Sequence, residues 1–92
     1  MLTDRERRMF REVIKRLEGY GTGEYRNDLP RALKVIQRQC EEELELTGLH
    51  RLVLSSACRR LDQIAGEISE RGDTGTIQLA AQLRRFKDGV RV

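Results

Sequence analysis

Leu49-His-Arg-Leu-Val53-Leu-Ser-Ser-Ala57-Cys-Arg-Arg-Leu61-Asp-Gln-Ile64-Ala-Gly-Glu-Ile68 is the stretch that decides the fold. Leu49, Val53, Ala57, Leu61, Ile64 and Ile68 recur every three or four residues. That is the period of one helix face, not the alternation of a strand. Leu52, Leu54 and Ala65 widen the stripe, so the pattern predicts a helix over 49–70 that Gly72 ends. Upstream, Leu29, Leu33, Ile36, Cys40 and Leu44 keep the same period and predict a helix over 28–46. Its start falls at Asn27 or Asp28, Pro30 is tolerated in its first turn, and Thr47-Gly48 closes it. So short a break predicts that these two helices form an antiparallel hairpin.

The flanks read the same way. Thr3-Asp4-Arg5-Glu6 has the form of a capping box, and Met9, Phe10, Val13, Ile14 and Leu17 follow as one apolar stripe. A helix over 3–18 is expected. Gly19, Gly21 and Gly23 make residues 19–27 a loop or hinge, with Tyr20 or Tyr25 anchoring it. The glycines do not make a phosphate cradle, because no strand precedes them and the lysine of such a motif is missing. Ile77, Ala80, Leu83 and Phe86 predict a last helix over 76–87. The fold class is all-α: one domain over 1–92, a small bundle of about four helices around a central antiparallel hairpin.

With 92 residues the chain is too short for a Rossmann fold or a TIM barrel. A chain of this size hides only about 60–65% of its unfolded surface, so a partner or self-assembly would help it. The longest apolar run, Leu52-Val53-Leu54, spans no membrane, and Thr3 to Arg8 is too polar for a signal peptide. A cytoplasmic chain is expected. The two cysteines, Cys40 and Cys58, fit free thiols near helix packing faces better than a disulfide framework.

Candidate chemistry is sparse. Cys40, His50 and Cys58 lack the close-spaced ligand pair and the fourth ligand of a zinc site. His50 and Cys58 lie about 12 Å apart along one helix, too far for a catalytic pair. Glu41, Glu42, Glu43 and Glu45 read as a solvated acidic face. They sit at the C-terminal end of the expected helix, where the macrodipole disfavours anions, which hints at a basic partner surface, either Arg51, Arg59 and Arg60 in cis or another chain. No enzyme activity, metal or cofactor is expected.

The basic residues carry more. Fifteen of the eighteen are arginine, and residues 1–38 hold ten bases against six acids. Arg8, Arg11 and Lys15 step along one face of the first helix, with Arg5 and Arg7 beside them. Arg31, Lys34 and Arg38 do the same on the second, and Arg84, Arg85 and Lys87 cluster near the end. Such rows can follow a phosphate backbone. The alternative is a solubilising outer face. With two Tyr, two Phe and no Trp, stacking on single strands is disfavoured.

From Glu43 to Asp62 the chain runs Glu43-Leu-Glu-Leu-Thr-Gly-Leu-His-Arg-Leu-Val-Leu-Ser-Ser-Ala-Cys-Arg-Arg-Leu-Asp62. With Gly72 and Leu79-Ala-Ala-Gln-Leu-Arg-Arg-Phe86, this resembles short phage terminase small subunits over residues 29–87. The likeness lies in helix lengths, the Ala57-Cys58 pair and the large residue before Asp62. The basic, proline-rich N-terminal tail common in that family is absent, and a capped helix stands in its place. The resemblance implies a non-enzymatic packaging factor in the cytoplasm of a bacterial host cell. It would assemble as a homo-oligomer, hold double-stranded DNA and present it to a large terminase ATPase–nuclease subunit. Arg5, Arg8, Arg11 and Lys15, with Arg31, Lys34 and Arg38, would face DNA. Leu44, Leu46, Leu49, Val53, Leu54, Glu41 and Glu45 would form the protein interface. Two other readings stay open: a helical module that captures a host protein, and a dimeric DNA-binding regulator.

Overall fold

The computed structural model describes residues 2–20 and 25–89, with the backbone alone of residues 25–27. Four helices follow one another: α1 (Asp4–Tyr20), α2 (Tyr25–Glu41), α3 (Gly48–Ile68) and α4 (Thr74–Gly89). Among the described residues there is no strand, so the chain is an all-α bundle. Of the loop expected over 19–27, residues 21–24 lie outside the described residues, while 19 and 20 belong to α1 and 25–27 to α2, which starts at Tyr25 rather than at Asn27 or Asp28 and so carries Pro30 in its second turn.

Most stripe residues turn inward, but Leu44, Leu49, Leu52, Ile68 and Ile77, which the spacing placed on the stripes, are exposed, and on α4 Thr76 and Leu79 are buried in place of Ile77. Phe10, Val13 and Leu17 of α1 meet Leu33 and Ile36 of α2, Leu54, Leu61 and Ile64 of α3, and Leu83 of α4 in one core. Phe10 and Phe86 meet edge to face, with ring centroids 5.1 Å apart and planes at 88°.

Neighbouring helices run antiparallel. Arg7 at the start of α1 meets Glu41 at the end of α2, and Glu18 near the end of α1 meets Lys34 of α2. Ser55 early in α3 meets Lys87 late in α4. The most extensive packing joins α3 to α4 and α1 to α2, while α2 and α3 share a smaller seam. The weight of the fold therefore lies in two hairpins, with the expected α2–α3 pairing between them.

Helix ends differ from the sequence expectation for local and tertiary reasons. Thr3 caps α1 as expected: its hydroxyl accepts from the Glu6 amide (3.1 Å), and Glu6 returns a bond to the Thr3 amide (2.9 Å). But α1 continues through Gly19 to Tyr20, whose carbonyl accepts from Arg60 of α3. The expected extension of α2 to residue 46 does not occur. It ends at Glu41 because Glu43 turns to φ 58°. The Leu44 amide then bonds the Gln39 carbonyl (2.9 Å) and the Glu43 amide that of Cys40 (3.2 Å), a Schellman closure.

Thr47, expected to close α2, instead opens α3. Its hydroxyl accepts from the His50 amide, and His50 Nδ1 accepts from the Thr47 amide, both at 3.2 Å. His50 thus takes the place that Glu or Gln holds in the usual capping box.

The last helix starts at Thr74 rather than 76, because Asp73 caps it. Asp73 Oδ2 accepts from the Thr76 amide (3.0 Å) and the Thr76 hydroxyl (2.6 Å). Those bonds hold the Asp73 carboxyl below its ordinary range. Thr76 is fully buried, and its oxygen also accepts from Arg16 Nε of α1 (3.1 Å).

The two links carry the positive φ values among the described residues, Glu43 at 58° and Gly72 at 84°. A left-handed backbone strains an L side chain by about 1–2 kcal/mol, part of which a glycine's greater unfolded freedom offsets. Glu43→Gly is therefore expected to stabilise the fold by about 0.5–1 kcal/mol. Gly72→Ala is expected to destabilise it by about 1 kcal/mol. A Cβ at Gly72 would lie 2.8 Å from Ile77 Cδ1, but that is a mobile side-chain end, so the backbone angle sets most of the cost. Urea denaturation of the two variants checks both signs. A loss of stability in Glu43→Gly would show that the glutamate side chain outweighs its backbone strain.

Candidate nucleic-acid interface

The buried stripe of α1 turns Met9, Phe10, Val13, Ile14 and Leu17 inward. Helical geometry then forces Arg8, Arg11 and Lys15 onto the opposite, exposed side. On α2, Leu33 and Ile36 point inward and Arg31, Lys34 and Arg38 are exposed. Because α1 and α2 pack as a hairpin, the two rows border one outer face. Arg8 and Arg11 line a groove between the helices together with Gln37.

Ion pairs decide which cations on this face can meet an outside anion. Arg7 grips Glu41 with two bonds, Nε to Oε1 at 2.6 Å and Nη2 to Oε2 at 3.0 Å, and reaches Asp4 with Nη1 at 3.0 Å. The carboxylates raise the Arg7 pKa further above its ordinary value, and the Arg7 bonds lower that of Glu41. Arg16 is held by Glu12 (3.1 Å) and Lys34 by Glu18 (3.1 Å). Among the described residues, no carboxylate pairs with Arg5, Arg8, Arg11, Lys15, Arg31 or Arg38. Of the seven expected contact residues, Lys34 is thus the one already paired. Arg5 sits apart from the α2 row, over the α1–α4 seam beside Arg85 and Phe86. Of the C-terminal cluster, Arg84 pairs with Asp62 and Lys87 reaches the Ser55 hydroxyl.

The expected protein interface divides. Leu44 and Leu49 are exposed at 51% and 69%, and Glu45 is exposed. Leu46 and Leu54 are corrections: both are buried in the core at 5% and 0% and cannot face a partner. Val53 is half-buried, and Glu41 is taken by Arg7 rather than by Arg51, Arg59 or Arg60. Leu52, which the spacing placed on the apolar stripe, is instead 65% exposed one helical turn from Leu49, on the side of α3 away from Leu54, Leu61 and Ile64.

The groups with chemical potential hold structural positions. Cys58 is buried, with its thiol 3.9 Å from the Ala80 carbonyl, and Cys40 is partly buried. Desolvation pushes both thiols up, away from the nucleophilic thiolate. His50 is engaged in its cap. Among the described residues, no cluster of His, Cys, Asp and Glu is placed to hold a metal ion. Nor is any helix there long and apolar enough to cross a membrane. No family model, curated protein or solved structure matches the chain.

The Arg7–Glu41 bridge has a pH signature. The folded pKa of Glu41 lies below its unfolded value, so its contribution is fully present above about pH 4.5 and is lost as pH falls through the folded value. Glu41→Gln is expected to be less stable than wild type at pH 7. The gap should close in acid, once the wild-type carboxylate is protonated as well. Denaturant midpoints at pH 7, 4 and 3 measure this, and a gap that stays constant in acid would exclude the ion pair as its source.

Proposed function

We propose that this chain is a non-enzymatic binding protein that holds double-stranded DNA by its phosphates on the outer face of the α1–α2 hairpin. The observation that carries the reading is the sorting of cations. Arg8, Arg11 and Lys15 on α1 and Arg31 and Arg38 on α2 stay exposed and, among the described residues, have no carboxylate partner, while Arg7, Arg16 and Lys34 beside them are paired. Unpaired arginines on a rigid helix pair suit bidentate phosphate contacts. Helix spacing sets the contacts along the backbone without reading base edges, so affinity is expected to exceed sequence selectivity.

The narrower reading is a packaging factor similar to short phage terminase small subunits, acting in a bacterial cytoplasm. It would assemble with itself and present DNA to a large ATPase–nuclease subunit. The residue pattern over 29–87 supports this extension. A second reading, a module that captures another protein, is favoured by the exposed Leu44, Leu49 and Leu52.

Charge reversal tests the DNA face. The triple variant Arg8→Glu, Arg11→Glu, Lys15→Glu is expected to lose duplex retention at moderate salt. Neutralising one phosphate contact fewer reduces the slope of log affinity against log salt by about 0.9, so three fewer reduce it by about 3. The control reverses Arg51, Arg59 and Arg71, which are exposed on α3 and its following link. It changes net charge equally and is expected to keep most of the binding. Equal loss in both variants would mean that net charge, not this face, attracts DNA.

A further inference from the structure

Two further surfaces follow the other seams of the bundle, the first of them bordered by Arg8 of the α1–α2 face. One is a groove along the α1–α4 seam, with a volume of about 290 Å³ in the part beside Arg85 and Phe86. Met9, Leu79 and Phe86 form its apolar floor, and Arg5 and Arg85 stand exposed at its rim. Glu6, bonded to the Thr3 amide, keeps its charge in the groove lining, so two cations stand there against one carboxylate, while Glu12 is paired with Arg16. The other is the corner between α2 and α3. There Leu44, Leu49 and Leu52 are more than half exposed, and Glu42 and Glu45 flank them, also exposed.

We propose that the acidic leucine corner of one copy docks in the arginine-rimmed α1–α4 groove of the next, so that copies of this chain join head to tail. The chemistry of the two surfaces is complementary: leucines meet an apolar floor, and carboxylates meet guanidiniums at its edge. Symmetric alternatives are disfavoured by charge. Corner against corner brings Glu42 and Glu45 of both copies together, and groove against groove brings Arg5 and Arg85 together.

A copy cannot fill its own groove. The starts of α1 and α3 and the ends of α2 and α4 share one end of the bundle, as the Arg7–Glu41 and Ser55–Lys87 contacts show. At that end the corner lies on the α2–α3 side and the groove on the α1–α4 side. A contact between opposite sides leaves a free groove and a free corner after every addition, so it repeats. This inference rests on the self-assembly part of the proposed function.

Sedimentation equilibrium without nucleic acid, over a range of concentrations, tests it. Wild-type mass is expected to rise with concentration beyond a dimer. Arg5→Glu with Arg85→Glu, and separately Glu42→Lys with Glu45→Lys, should each weaken self-association by at least about tenfold, because like charges then face each other. Mixing the two variants in equal amounts should restore assembly. All four positions are exposed, and circular dichroism checks that each variant keeps its helices. A wild-type monomer at every concentration would overturn both this contact and self-assembly. Assembly that survives the groove variant, or that stops at a two-fold dimer, would overturn this contact alone.

Discussion

Phe10 is the side chain on which the two hairpins close. It has no exposed surface, and it meets Phe86 of α4 edge-on. Such a pair contributes about 0.5–1.5 kcal/mol beyond the burial of its area. The helix that carries Phe10 packs on all three others. Without that stripe, α1–α2 and α3–α4 would each expose an apolar side. A second link makes the α1–α4 seam specific: the buried Thr76 hydroxyl donates to Asp73 and accepts from Arg16. Asp73 moves with α4, so sliding α4 along α1 breaks the Arg16 bond and the packing but leaves the hydroxyl its Asp73 partner.

The ion pairs have a different consequence. Pairs as exposed as Arg7–Glu41 or Lys34–Glu18 add little to stability. They choose which charges remain for other molecules. Arg7 and Arg8 are neighbours in the chain, yet one is bridged to α2 and the other is open to solvent. The same selection takes Glu41 out of the acidic corner and leaves Glu42 and Glu45. The chain therefore has three surfaces of distinct character: a cationic outer hairpin face, an arginine-rimmed apolar groove and an acidic leucine corner.

Several of these features were legible beforehand. The stripe of α1, the middle of the α3 stripe from Ala57 to Ile64, the cap at Thr3 and Glu6, and the exposure of Arg8, Arg11 and Lys15 follow from local sequence, whereas Leu49, Leu52 and Ile68 of the expected α3 stripe are exposed. The end of α2 was not legible, because a glutamate at φ 58° carries no glycine-like signature, and Gly48 was the stronger local stop signal. The His50 cap was hidden for a similar reason: imidazole takes a position where carboxylate or amide is expected. Leu46 and Leu54 misled because an apolar residue near a link reads equally as core and as interface until its neighbours are known.

By itself the sequence determined the helices and which face of each is apolar, since both depend on residues three and four apart along one chain. It also determined the excess of arginine over the first two helices. Tertiary structure alone decided the pairing of Arg7 with Glu41, thirty-four residues away, and of Arg16 with Thr76, sixty away. It decided too that Arg5 joins Arg85 rather than the α2 row. These contacts depend on how hairpins stack, which the local period does not encode. They are what separates the cations serving the fold from those left to meet a partner.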